Sequence, residues 1–201
     1  MKIIQNHLLL KLFILLLCTT CKSQTGILNK NTQEIVNVIL KEYDSVSLIT
    51  ETYYNDTTFK PINVLNPYYR AYSYEVMNKD SIKKNNNIAY SVFLKDINGI
   101  ISKNELDEMK EKYKSWSIKN WQKSNIKNNK VNLISLNDIE QYRESIPLIR
   151  FSEPLFTKDK KKAIIHITYS KNKTGGNAIR ILVSENGKWV IKGGIANGTS
   201  G

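Results

Sequence analysis

Apolar positions recur along this chain in two rhythms, one helical and one alternating. Ile35, Val38 and Ile39 fall on one helical face, flanked by Val36, Leu40 and Tyr43, and predict a helix over 32–43. Asn31 stands where an N-cap belongs, with Glu34 three places on in capping-box order. Residues 45–54 are rich in β-branched side chains and tyrosine and predict a strand, ended by Asn55-Asp56. The stretch 59–78 reads two ways. Asn66 and Pro67 suit an N-cap and first helical residue, which puts Tyr69, Tyr72 and Val76 on one face; alternatively Tyr72, Tyr74 and Val76 alternate as a strand. The short helix is preferred. A polar turn at 83–87 precedes a strand at 88–94.

The clearest local signal is at 102–117. Ser102 and Glu105 form a capping box, with Ile101 and Leu106 placed as a hydrophobic staple. Leu106, Met109, Tyr113 and Trp116 follow at helical spacing, with acids early and lysines late, as the helix dipole favours; they predict a helix over 103–117. A strand at 131–134 and a short helix at 137–144 come next. From Leu148 the pattern becomes a meander of strands at 148–156, 162–170, 177–184 and 188–192. Asn186-Gly187 is a two-residue hairpin signal pairing Glu185 with Lys188, Ser184 with Trp189, Val183 with Val190 and Leu182 with Ile191. Trp189, Leu182 and Ile191 then share a core face. Ile181 and Val183 make the other face apolar too, so helices are expected to cover it. Gly175-Gly176 and Gly193-Gly194 lack phosphate-loop spacing and read as turns and strand ends. The expected architecture is one α+β domain over 32–201, with helices packed on an antiparallel sheet. A cystatin-like or nuclear-transport-factor-like arrangement is compatible with that order and implies no function.

Composition narrows the class. The chain has 201 residues, 41% hydrophobic and 24% charged, enough to build a packed core rather than remain disordered. Its net charge is +12; Lys2 and Lys11 are the only acid or base charges in residues 1–20, so the remainder keeps 28 basic and 18 acidic side chains, or +10. Such a surface attracts phosphate-rich partners or simply solvates the fold. The basic residues are scattered, apart from Lys160-Lys161-Lys162 in an expected turn.

The N-terminus carries the address. Residues 1–11 hold Lys2 and Lys11 and no acid, 12–17 are an unbroken apolar run, and Cys18-Thr19-Thr20 lead to Cys21. These are the three regions of a secretory signal, too short to span a bilayer. The end of the segment resembles a bacterial lipoprotein signal, in which a peptidase cuts before a cysteine that carries a diacylglyceryl group. Family members usually have Leu three places before that cysteine and Gly, Ala or Ser just before it; Cys18 and Thr20 stand there in this chain. The resemblance implies a signal peptide over 1–20, lipidation at Cys21 and a tether over 21–31. Lys22-Ser23-Gln24 resembles the start of many Bacteroidetes lipoproteins. With both cysteines in this segment, the rest of the chain has no disulfide, no cysteine metal site and no cysteine nucleophile.

Candidate chemistry is sparse. His166, the only histidine beyond residue 7, lies mid-strand between Ile165 and Ile167. It is a general-base candidate and, more simply, a satisfied sheet histidine. Glu153 beside Pro154 reads as an edge or bulge feature and is the second residue to test in an enzymatic reading. Residues 94–105 partly resemble an EF-hand loop, with Asp96, Asn98, Gly99, Ile101, Ser102 and Glu105 in matching places. Leu94 occupies the first-ligand position, where the site needs a carboxylate, and the capping box already explains Glu105. Asp44-Ser45-Val46, Asp56-Thr57-Thr58 and Asp80-Ser81-Ile82 resemble the short O-glycosylation acceptor of Bacteroidetes envelope proteins. No nucleophile elbow or paired-acid motif is visible.

Residues 151–163, the strand after them and Asn186-Gly187-Lys188-Trp189 resemble uncharacterised lipoproteins of Flavobacteria and relatives, over about a quarter of the chain. That resemblance implies an envelope address and a strand order, and no activity. The expectation is an envelope lipoprotein acting as a non-enzymatic binding or accessory module, on the periplasmic face of the outer membrane. Its expected partners are the membrane, through the anchor, and an envelope protein or an anionic glycan or lipid; no nucleic acid, cofactor or metal is expected. The alternatives are a periplasmic enzyme with a site assembled from scattered residues and an immunity lipoprotein that neutralises a toxin.

Overall fold

The computed structural model describes residues 28–77, 99–142, 146–172 and 174–199. The expected signal segment, Cys21 and the strand expected at 88–94 lie outside them. The described residues form an α+β fold with four α-helices and seven strands. In chain order these are α1 (Lys30–Leu40), β1 (Val46–Ile49), α2 (Pro61–Met77), α3 (Lys103–Lys112), β2 (Val131–Ile134), α4 (Ile139–Tyr142), β3 (Leu148–Phe151), β4 (Leu155–Phe156), β5 (Lys162–Lys171), β6 (Thr174–Glu185) and β7 (Lys188–Thr199). One-turn 3-10 helices occur at Lys123–Asn125 and Leu136–Asp138.

The strands form one open sheet in the order β2-β1-β3-β5-β6-β7, with β4 added beside β5. The sheet is mixed rather than wholly antiparallel. β1 runs parallel to both β2 and β3, with Val46 opposite Val131 and Ser47 opposite Leu148, while β3 through β7 pair antiparallel. All four residues of β1 are buried, as expected for a strand covered on both faces.

Two helical layers clothe the sheet. On one face α1 packs Ile35, Val36, Ile39 and Leu40 against Ile165, Ile167, Leu182 and Trp189. On the other, α2 and α3 pack Val64, Leu65, Tyr68, Leu106 and Met109 against Ile164, Ile179 and Ile181. Burying each large aliphatic side chain stabilises the fold by roughly 1.5–3 kcal/mol. The hairpin forms in the expected register, with Asn186 and Gly187 both at positive φ (51° and 76°) as its tight turn demands. Beyond Leu182 and Ile191 the register shifts: Ile181 faces Gly193, leaving Lys192 without a partner as a bulge.

Several element boundaries differ from the sequence reading. Asn29, not Asn31, caps α1, its side chain accepting the Asn31 N–H at 3.0 Å, so the helix begins at Lys30 and ends at Leu40. β1 stops at Ile49 because the chain then turns to pair Thr52 N–H with Lys119 O (2.9 Å). α2 starts at Pro61 rather than Pro67; Asn63 Oδ1 accepts the Lys60 N–H at 2.6 Å, and Pro67 sits inside the helix. Its buried stripe is Val64, Leu65, Tyr68 and Ala71, with Tyr69 and Tyr72 half-buried. The capping box of α3 is present, but the helix ends at Lys112 because Tyr113 leaves helical geometry (φ −104°, ψ 80°). Trp116 then turns inward and donates Nε1–H to Phe59 O at 2.8 Å. The expected strand 148–156 is two strands, split at Ser152, whose hydroxyl accepts the His166 N–H (2.9 Å). Gly193 and Gly194 lie within β7 rather than at a turn; a Cβ on Gly194 would run into the Ile179 carbonyl oxygen. No described helix is long and apolar enough to cross a membrane.

Candidate functional site

Three segments distant in sequence frame a cleft of about 620 Å3: the start of α1, the connection 117–122 after α3, and the β4–β5 turn. That volume is within the roughly 300–1,000 Å3 of small-molecule sites. The 117–122 wall is fastened at both ends. At its head Glu153 accepts the Ser117 N–H (2.5 Å) and Ile118 N–H (3.0 Å) with Oε2, and the Ser117 hydroxyl (2.6 Å) with Oε1. At its tail Trp121 N–H bonds Thr50 O at 2.8 Å, and Glu51 bridges Asn120. Just beyond, Asn37 of α1 holds the chain twice, donating to Asn125 O (2.9 Å) and accepting from Lys127 N–H (2.7 Å). Thus the cleft is preorganised by hydrogen bonds rather than by a loose loop.

Its lining is basic. Lys112, Lys119 and Lys160 border it, and Glu153 is the only carboxylate among the lining residues, with both oxygens already engaged. Lys112 Nζ lies 4.6 Å from the Tyr113 ring centroid and Lys119 Nζ 4.7 Å from that of Tyr54, contacts that hold both ammonium groups in place. A neighbouring hollow of about 410 Å3 shares Lys112 and Phe156 and is of mixed charge, adding Lys158 together with Glu108 and Glu111. The β4–β5 turn is closed by Asp159 Oδ1, which accepts from the Thr157 hydroxyl (2.6 Å) and Lys161 N–H (3.0 Å). Lys160 adopts a left-handed φ of 58° there. Of the three consecutive lysines, Lys162 opens β5 and pairs with Glu105 at 2.8 Å.

His166 and Glu153 are not brought together. The His166 ring points into the α2–α3 layer, 4.7 Å from the Phe59 ring centroid and 5.6 Å from that of Tyr53. It is 8% exposed, and its Nδ1 has no hydrogen-bond partner among the described residues. Burial, and then the nearby positive charge of Arg150, pull its pKa down to about 4. Arg150 itself is committed: it lies 4.0 Å over Tyr53 and donates to Glu51 O (3.1 Å) and Thr52 O (2.5 Å). A neutral imidazole enclosed by aromatic rings, with its acidic neighbour facing another loop, gives no general acid–base pair.

The remaining sequence candidates divide similarly. Positions 94–98 of the EF-hand-like loop lie outside the described residues. Its Glu105 is taken up by the Ser102 N–H (2.7 Å) and Lys162; burial raises its carboxyl pKa, and these hydrogen bonds outweigh that to hold it low. No cluster of three metal-ligating side chains occurs among the described residues. Ser45 and Thr57 of the glycosylation-like motifs are exposed, and Asp80-Ser81-Ile82 lies outside the described residues. In the sequence Lys112 and Lys119 stand out only as late lysines suited to the helix dipole, and Lys160 only as part of a basic run, so none of the three is marked as a site residue. No family model, curated protein or solved structure matches the chain.

Proposed function

We propose that this chain is an envelope lipoprotein, anchored through Cys21, that serves as a non-enzymatic binding or accessory module. The address rests on the basic, apolar and small-residue order of residues 1–21. The observation that carries the binding role is the hydrogen-bonded, lysine-bordered cleft. The two residues an enzymatic reading would use are occupied elsewhere, His166 in the aromatic core and Glu153 in loop anchoring. A single bound acyl chain gives only marginal membrane affinity, whereas the two or more chains of a bacterial lipoprotein hold it durably, on the periplasmic side of the outer membrane.

The test is metabolic labelling of the full chain with a palmitate analogue in a Gram-negative host, followed by crosslinking and purification. Label in the wild type and none in Cys21→Ser is the expected result; equal label in both removes the anchor. Crosslinking is expected to recover an envelope partner or a glycan-bearing species. A purified chain that turns over a substrate and loses that activity in His166→Ala would replace the binding role with an enzymatic one.

A further inference from the structure

We propose that the lysine-bordered cleft binds a phosphate-bearing sugar. The inference rests on reading the chain as a binding module and supplies that module's ligand class.

Charge is the first argument. Lys103, Lys114, Lys162 and Lys192 each face a carboxylate within 3 Å. Lys112, Lys119 and Lys160, which border the cleft, have no such partner among the described residues, and the one acid there is consumed by its own loop. Lysines bordering a concave surface without a carboxylate to neutralise them favour an anion there. The cations of the lining are lysines, which meet phosphate as compact point charges with three donors each.

The uncharged lining points to a sugar. Asn120 and Gln122 are exposed and carry side-chain amides suited to hydroxyl groups, and half-buried Tyr113 and Ile118 supply the apolar part of the lining for a ring's C–H face. Lys160 adds an independent observation. A non-glycine residue at φ 58° is disfavoured, and the turn would be relaxed by glycine; instead it carries a charge to the rim of the cleft.

The test is calorimetric titration of the full chain in lauryldimethylamine oxide micelles. Glucose 6-phosphate is the free probe and a phosphorylated diglucosamine lipid in the same micelles is the membrane-borne one. Glucose and inorganic phosphate are the controls. Saturable binding of either sugar phosphate above both controls is expected, weakening with added salt; the tighter of the two identifies the source. Lys160→Gly should weaken binding roughly tenfold, the worth of one charged hydrogen bond, while thermal stability holds or rises. The double variant Lys112→Gln, Lys119→Gln should abolish binding at the same probe concentrations. No binding at millimolar concentration, equal affinity for glucose or inorganic phosphate, or unchanged affinity in folded variants overturns the proposal. A crosslinked envelope partner without sugar-phosphate binding would also overturn it, while leaving the binding module and the Cys21 anchor standing.

Discussion

His166→Phe should flatten the acid dependence of stability between pH 6.5 and 4. In the native protein the imidazole packs against Phe59 and Tyr53, with Arg150 nearby, and its pKa is pulled from 6.5 to about 4. The unfolded chain therefore takes up the proton first as pH falls. Stability from this group is complete above 6.5, is lost progressively on the way down, and stops changing below 4. At about 1.4 kcal/mol per pH unit, the distance from 6.5 to about 4 corresponds to about 3 kcal/mol. His166 is the only histidine in the described residues, so no second imidazole blurs this window. Glu51, Asp56, Glu105 and Asp159 have lowered carboxyl pKa values and act at lower pH, equally in both proteins. The assay is urea unfolding at a series of pH values, comparing wild type with His166→Phe, whose ring suits the aromatic cluster. Nuclear magnetic resonance titration of the wild-type imidazole is independent of how the variant folds. Equal slopes in the two proteins, or an imidazole midpoint at or above 6.5, would refute the reasoning.

Two further substitutions test the frame of the fold. Gly194→Ala should cost about 2–4 kcal/mol in urea unfolding, because its Cβ would meet the Ile179 carbonyl and lie 3.1 Å from Arg180 Cα, both backbone; a loss below measurement error would show that β7 can move away freely. Glu153→Ala should cost about 1.5–3 kcal/mol, the worth of the lost bonds to a charged acceptor, since the exposed Ser117 N–H can turn to water while the half-buried Ile118 N–H loses its acceptor. Glu153→Gln should cost only about 1 kcal/mol, since its oxygen can keep the two N–H groups while its amide donates to the Ser117 hydroxyl; equal losses in both would contradict the loop-anchoring role.

How much of this was legible in the sequence follows from how local each signal is. The capping box of Ser102 and Glu105 and the Asn186-Gly187 register are written in a few adjacent residues, and both form as read. The α+β class and the C-terminal antiparallel series also follow from periodicity. The parallel pairings of β1 did not, because Val46 meets Val131 only after the intervening helices are packed. The start of α2 was misplaced because Asn66-Pro67 imitates a helix entry, whereas Pro61 and the back-bond of Asn63 provide the actual one. The cleft was least legible. Its lysines come from the end of α3, the following connection and the β4–β5 turn, and Glu153 drops out of the charge balance only once its three hydrogen bonds are known.

The unpaired Lys192 changes the parity of β7. Ile191 serves the α1 side of the sheet and Ile195 the α2–α3 side, although an unbroken strand would point residues four apart the same way. The strand is thus two half-strands of opposite phase, joined at one residue. Removing Lys192 alone would leave Gly193 opposite Ile181 and Ile195 opposite Ile179, turning β7 into a regular strand with every later side chain still facing its present layer. The bulge thus absorbs one residue of chain length without turning the rest of β7 over, so a single-residue change at this point leaves both layers with their own side chains.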